Sequence, residues 1–99
     1  MQMNFGLDNI VTAEIEKGLK IYPNPFDEYL EINMESYILD NPTINIYNIN
    51  GVIINQQKFE GFYQTLHLTN LPKVAGVYFI EIQDKNIRLS KKIVYLGVN

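Results

Sequence analysis

Apolar and polar residues alternate along most of this chain, the period expected where successive side chains of a β-strand point to opposite faces of a sheet. In "YLEINM", Leu30, Ile32 and Met34 alternate with more polar neighbours. Segments of this kind recur about every 10 to 14 residues, which indicates short strands joined by turns. The pattern predicts about seven strands: "LKIY" (19–22), "YLEINM" (29–34), "TINIYNI" (43–49), "VIINQQKF" (52–59), "QTLHLTNL" (64–71), "VYFIEIQD" (77–84) and "IRLSKKIVYLG" (87–97).

Turn residues separate these segments. Asn50-Gly51 is the strongest short hairpin signal and predicts a type I′ turn, which needs positive φ at both residues. Pro42 disfavours helix at Asn41 and so predicts a loop in "LDNPT". Residues 1–18 fit neither period: a short strand, a helical turn and a linker all stay open, and we expect a mobile lead-in that adds at most an edge strand. The fold class is therefore all-β, an antiparallel β-sandwich over residues 19–99 preceded by a linker over 1–18.

The alternation also predicts which side chains form the core. Tyr78 is expected to lie there with its hydroxyl bonded to a buried acceptor, as in a tyrosine corner. The other expected core residues, besides part of the last strand, are Leu30, Ile32, Ile44, Ile46, Val52, Ile54, Leu66, Leu68, Ile80 and Ile82.

Length and composition narrow the class of protein. The 99 residues suffice for one domain, and a hydrophobic fraction of 46% is typical of a globular chain. The net charge of −3 gives little electrostatic support to nucleic acid binding. The absence of cysteine excludes disulfides and thiolate metal sites. No apolar run approaches the roughly 20 residues of a membrane helix, so membrane insertion is not expected. The first residues lack the pattern of a signal peptide, which fits an internal protein or a piece of a longer exported chain.

Residues that could carry out catalysis are few and scattered. His67, the single histidine, is out of phase with its apolar neighbours and is expected to face solvent. No serine lies in a nucleophile elbow, and the acidic pairs Asp27-Glu28 and Glu14/Glu16 lack the loop pattern of a calcium site. We therefore expect no enzyme, cofactor or metal. Because tyrosines stack on sugars, a carbohydrate-binding surface that includes Tyr47 stays open as an alternative.

The stretch "IYPNPF" (21–26) is the most specific turn signal in the chain. Pro23 and Pro25 fix φ near −65° and cannot donate to a β-ladder, so this turn is expected to end an edge strand and stop growth of the sheet.

The order of these signals resembles a known family. The segments "LKIYPNPF", "YLEI", "INIYNINGVII", "LHLTNLPKVAGVYFIEI" and "LSKKIVYL" resemble the type A C-terminal sorting domain of the type IX (Por) secretion system of Bacteroidetes, over residues 19–96. The upstream "FGLDNI" is similar to a short element that often precedes the turn in this family.

The resemblance implies an Ig-like sandwich that ends a longer exported protein. Such a domain follows an N-terminal cargo domain, passes through the periplasm, and directs the cargo through the outer-membrane translocon to the cell surface or the medium. A sortase-like surface peptidase typically removes it, which here places the cut within residues 1–20. An Ig-like structural or adhesive module, or a carbohydrate-binding module, kept on a secreted protein is the alternative.

The family's motif residues carry over to this sequence by position. We expect a mainly structural role for Tyr22, Pro23, Asn24, Pro25, Gly51, Gly76 and Tyr78. Recognition by the translocon is expected at the terminal basic-apolar segment, Lys91, Lys92, Ile93 and Val94. Exposed strand edges would also allow a homodimer.

Overall fold

The strands form where the sequence alternates. The computed structural model describes residues 14–97. Within that range the chain forms nine strands: β1 (Leu19–Tyr22), β2 (Leu30–Met34), β3 (Leu39–Asp40), β4 (Thr43–Tyr47), β5 (Ile53–Lys58), β6 (Phe62–Tyr63), β7 (Thr65–Leu68), β8 (Gly76–Gln83) and β9 (Arg88–Tyr95). The seven predicted strands are all present, and the two-residue strands β3 and β6 are additional.

Two main sheets carry the fold. One has three strands in the order β1-β2-β7, and the other has four in the order β5-β4-β8-β9. The short pair β3-β6 forms a separate ladder, and every strand pairing is antiparallel. This confirms the predicted all-β sandwich.

The core lies between the faces on which the alternating apolar residues fall. β2 contributes Leu30, Ile32 and Met34, all fully buried. Most of the predicted core is confirmed as buried: Leu30, Ile32, Ile44, Ile46, Leu66, Leu68, Tyr78, Ile80 and Ile82. Tyr78 also donates its hydroxyl to the carbonyl oxygen of Val74, four residues upstream, as expected for a tyrosine corner.

Strand β5 contradicts the predicted core. Val52 and Ile54 are 55% and 41% exposed. Val52 lies next to the turn, before β5 begins, and Ile54 is the extra residue at which the register with β4 shifts. A shift of one residue moves the following side chains to the other face. Asn55 and Gln57, rather than the isoleucines, therefore stand opposite the buried residues of β4. Their amides bond to each other at 3.0 Å, which satisfies these polar groups at the margin of the core.

The turn between β4 and β5 also differs from its predicted type. The amide of Gly51 donates to the carbonyl of Asn48 at 3.0 Å, which places Ile49 and Asn50 at the centre of the turn. Gly51 has a φ of 81°, whereas Asn50 does not have positive φ. The side chain of Asn48 accepts the amide of Asn50 at 2.9 Å and so favours this alternative turn. The hairpin is present, but the type I′ prediction is wrong.

A turn of helix over residues 14–18 precedes β1. Ile15 is 7% exposed and belongs to the core. The carbonyl of Gly18 accepts the amide of Glu35 at 3.2 Å, just beyond the end of β2. Packed structure therefore extends upstream of Leu19, and among the three alternatives for this segment, residues 14–18 adopt the helical turn. The "FGLDNI" element lies outside the described residues.

One carboxylate ties the far end of the sandwich together. Asp84 accepts the hydroxyl of Tyr37 at 2.9 Å and the amides of Asp40, Asn86 and Ile87 at 3.1, 2.8 and 2.9 Å. Burial opposes ionisation, but the amide donors outweigh it, so the pKa of Asp84 lies below its usual value. The β8–β9 turn is thereby held to β3 and to the segment before it.

We expect Asp84→Asn to lower the free energy of unfolding by roughly 1–3 kcal/mol at neutral pH, because each carboxylate oxygen accepts two of these bonds and asparagine replaces one oxygen with an NH2 donor. The folded pKa is depressed, so the charge stabilises the fold above the unfolded pKa, near 3.8, and the benefit disappears as the pH falls through the folded value. Urea titrations should show wild type and variant converging below about pH 4. Glu28→Gln, at an exposed site, is the control. A constant difference at all pH values would contradict this role.

Candidate functional site

The Pro23-Asn24-Pro25 turn joins β1 to β2 of the three-stranded sheet and lies beside β9 of the four-stranded sheet. β1, just before the turn, is an edge strand of the three-stranded sheet. Phe26, just after it, forms a parallel bridge with Tyr95 of β9, an edge strand of the four-stranded sheet. Both X–Pro bonds of the turn are cis. Prolines fit this place because an outer edge needs no amide donor there.

The side chain of Asn24 bonds to the backbone of β9 in the way that a residue of a neighbouring strand would. Its Oδ1 accepts the amide of Val94 at 3.0 Å, and its Nδ2 donates to the carbonyl of Lys92 at 3.3 Å. The backbone then continues the pairing: Phe26 donates to the carbonyl of Val94 at 2.8 Å, and Leu96 donates to the carbonyl of Phe26 at 2.9 Å. The turn is therefore bonded to the last strand.

Phe26 anchors this contact. Its side chain is fully buried, and its ring stacks on Tyr95 with centroids 5.0 Å apart and an interplanar angle of 28°. Burying a phenylalanine is worth roughly 1.5–3 kcal/mol, whereas an ordinary hydrogen bond contributes about 0.5–1.5 kcal/mol. Phe26 therefore supplies most of the stability of the contact, and Asn24 fixes its register. We call the contact of residues 24–26 with residues 92–96 the terminal seam.

Other predicted motif residues meet the same strand. Gly76 and Tyr78 of β8 pair with Tyr95 and Ile93 of β9, on the side away from the turn. Gly76 has a φ of 153°, a conformation that side chains disfavour. Gly51 is not part of this assembly, since it lies in the β4–β5 turn. β9 thus brings together two motif elements that are far apart in the sequence.

The two lysines of β9 do not form one charged pair. Lys91 pairs with the buried Ile80 and shares the inner face with Ile93, whereas Lys92 pairs with the exposed Phe79 on the outer face. Adjacent strand residues point to opposite faces, so the two charges diverge. An inward-pointing charge on an edge strand discourages uncontrolled sheet extension.

Both lysines nevertheless line one groove. This groove has a volume of about 430 Å³ and runs between the edges of the two sheets. Leu19 and Ile21 of β1 supply its apolar lining, and the other residues along it are Lys20, Tyr22, Asn24, Lys91 and Lys92. We call it the terminal groove.

The terminal groove is positively charged. Within residues 14–97, none of Lys20, Lys91 and Lys92 lies within ion-pair distance of an acidic side chain. Glu31, opposite Tyr22 on β2, accepts the tyrosine hydroxyl, which raises the pKa of Tyr22. The same carboxylate lies 3.4 Å from Nδ1 of the exposed His67. This acid therefore lies on the outer face of the three-stranded sheet, the face that Lys20 and Tyr22 share.

The described residues form no candidate metal site. They contain no group of three or more histidine, aspartate or glutamate side chains that could hold a metal ion. Asp27 accepts the amide of its neighbour Glu28 at 2.6 Å, and both residues are exposed. Tyr47, named for possible sugar binding, is half-buried with its hydroxyl bonded to Glu81 at 3.0 Å. Between residues 14 and 97, no helix is long and apolar enough to cross a membrane.

Sequence reasoning missed two parts of this site. Phe26 was not assigned to the core, although a large aromatic residue directly after a proline turn is a usable signal for an anchor. Lys20 was not assigned to a site, because its proximity to Lys91 depends on the edges of two separate sheets meeting.

Comparison with known proteins identifies the family to which this arrangement belongs. The family of secretion system C-terminal sorting domains matches residues 20–96, from β1 to the residue after β9. Comparison with curated protein sequences gives no match.

The chain therefore belongs to the C-terminal sorting domain family of type IX secretion. The domain is a sorting signal for a protein destined for the cell surface or for secretion, and its family is not an enzyme family. The matched range contains the whole terminal seam and every residue of the terminal groove except Leu19.

We expect Asn24→Ala to open the seam locally. The Val94 amide donates to the Asn24 side chain, whereas the neighbouring amide of Ile93 faces β8. Hydrogen exchange should accelerate at Val94 by about tenfold or more and change little at Ile93. Asn86→Ala, in the β8–β9 turn, is the control because that side chain is exposed and remote from the seam. Equal acceleration at both amides would indicate general destabilisation instead.

Proposed function

We propose that the outer-membrane translocon of type IX secretion recognises this domain by binding the terminal groove and the exposed part of β9. On this proposal, the cargo precedes the domain in the same chain and crosses the periplasm before export. A sortase-like surface peptidase then removes the domain.

The observation that supports this proposal is the bonding of the Pro-Asn-Pro turn to the last strand. Two motif elements that are about 70 residues apart form one surface, at the junction of the two sheets. A receptor that binds there can test whether the domain is folded, because the surface exists only when β1 and β9 are both in place.

The candidate recognition residues differ in what they offer to a partner. Ile93 is fully buried and can act only by holding β9 in position. Lys92 is exposed, and Lys91 and Val94 are partly exposed, so these three can make direct contacts. The lysines are the better candidates because desolvated charge pairs discriminate strongly between partners.

We expect replacement of Lys91 and Lys92 with alanine to reduce surface export several-fold without unfolding the domain. The measurement fuses residues 1–99 to a periplasmic reporter in a type IX-competent host and compares its surface and periplasmic fractions. Lys58→Ala and Lys73→Ala, both at exposed sites away from the groove, form the matched control. Unchanged export of the double variant would refute recognition through these lysines. Retention of the wild-type fusion in the periplasm would refute the sorting function.

Burial narrows where a peptidase could cut. Ile15 and Leu19 are each 7% exposed, and the carbonyl of Gly18 is bonded to Glu35. A protease needs about a few residues in an extended, accessible form. We therefore propose that the cut lies upstream of Ile15, which shortens the 1–20 window expected from the sequence.

Mass spectrometry of the released domain should give an N-terminus before Ile15. The alternative function, an Ig-like or sugar-binding module that is retained, predicts instead that the mature extracellular protein still contains residues 19–99. A cut between Ile15 and Tyr22 would contradict the proposed boundary, since it would remove side chains that the core buries.

A further inference from the structure

The outer edge of β9 is only half covered. Towards its end, the terminal seam bonds both backbone groups of Val94 and the carbonyl of Lys92. Backbone groups alternate in direction along a strand, so those of Ser90 and Arg88 point to the same outer side. Among the described residues, β8 is the strand partner of β9, and no other backbone group bonds to Ser90 or Arg88. About five residues of strand edge therefore remain open for another strand.

The open edge lies beside the terminal groove. Lys91 belongs to this half of β9 and lines the groove together with Lys20 of β1 and the apolar Leu19 and Ile21. The groove is thus a narrow space with an apolar lining, unpaired backbone groups beside it and lysines along it. It carries local positive charge on a domain whose net charge is −3.

We propose that this edge binds an extended peptide segment with acidic side chains, which adds a strand to β9 next to residues 88–92. This peptide segment belongs to the partner that recognises the sorting domain, so this inference rests on the proposed function. Main-chain bonds to Ser90 and Arg88 supply affinity, and carboxylates opposite Lys20 and Lys91 supply selectivity.

Charge complementarity favours an acidic strand over two other candidate occupants of this edge, a second copy of the chain and an anionic lipid surface. A second copy of the chain would bring its own Arg88, Lys91 and Lys92 against the same lysines, and like charges oppose that pairing. An anionic lipid surface would neutralise the lysines but leave the open backbone groups without partners. An acidic strand satisfies both features.

The direct test uses the 99-residue chain and a synthetic hexapeptide of alternating valine and glutamate. NMR titration should shift the amides of Ser90, Lys92 and Arg88, and hydrogen exchange at Ser90 should slow. The matched peptide of valine and lysine should bind at least about tenfold more weakly. Equal binding of the two peptides, or shifts confined to other surfaces, would overturn the proposal. So would perturbation of these amides by phosphatidylglycerol vesicles but not by the acidic peptide, or their protection by self-association alone.

A proline variant tests the strand addition itself. Ser90→Pro removes an amide that faces away from β8 and should lower the affinity for the acidic peptide about tenfold or more. Lys58→Pro is the control on the opposite edge: Phe59 donates to Pro42, so the backbone of Lys58 also points away from its partner strand. If Ser90→Pro unfolds the domain, Lys91→Gln replaces it, with a several-fold loss for the acidic peptide expected. Full affinity in the folded variant would overturn strand addition.

The export assay then distinguishes failure of the peptide-binding inference from failure of the proposed sorting function. If the wild-type fusion reaches the surface and no acidic peptide binds at β9, the inference fails while the sorting function stands. If the peptide binds but the wild-type fusion stays in the periplasm, the sorting function fails and β9 remains a peptide-binding edge.

Discussion

The structure depends on the contact of Phe26 and Asn24 with the last strand. Phe26 is buried against Tyr95, and Asn24 takes the place of a strand residue beside Val94. This contact joins the edge of one sheet to the edge of the other, and it connects the start of the matched family region to its end. The apolar anchor supplies most of the stability, because the hydrogen bonds of Asn24 replace similar bonds to water.

The same contact explains how the domain manages an exposed edge. Sheets with open edges can pair with other chains without control, and a sandwich of two sheets leaves four of them. Here the terminal seam bonds one half of the edge of β9. The inward-pointing charge of Lys91 discourages uncontrolled pairing along the other half. What remains is a short, charged edge. Such an edge is poorly suited to aggregation but well suited to a partner that brings opposite charge.

Local alternation predicted the buried face of most strands. The residues predicted to form the core are buried in β2, β4 and β8, which have neighbours on both sides, and also in the edge strand β7. The prediction failed at β5, an edge strand in which a register shift turns Asn55 and Gln57 inward. A shift of this kind depends on the turn geometry around Asn48 and Gly51, which the hydrophobic pattern does not encode.

The sequence alone determined the fold class and the position of most strands, since both follow from neighbouring residues and from backbone limits on proline and glycine. It also placed Lys91 and Lys92 in the last strand. Only the tertiary structure decided that the Pro-Asn-Pro turn touches that strand and that Lys20 joins the two lysines in one groove. The physical reason is that contacts across about 70 residues depend on how both sheets pack, which no short segment specifies.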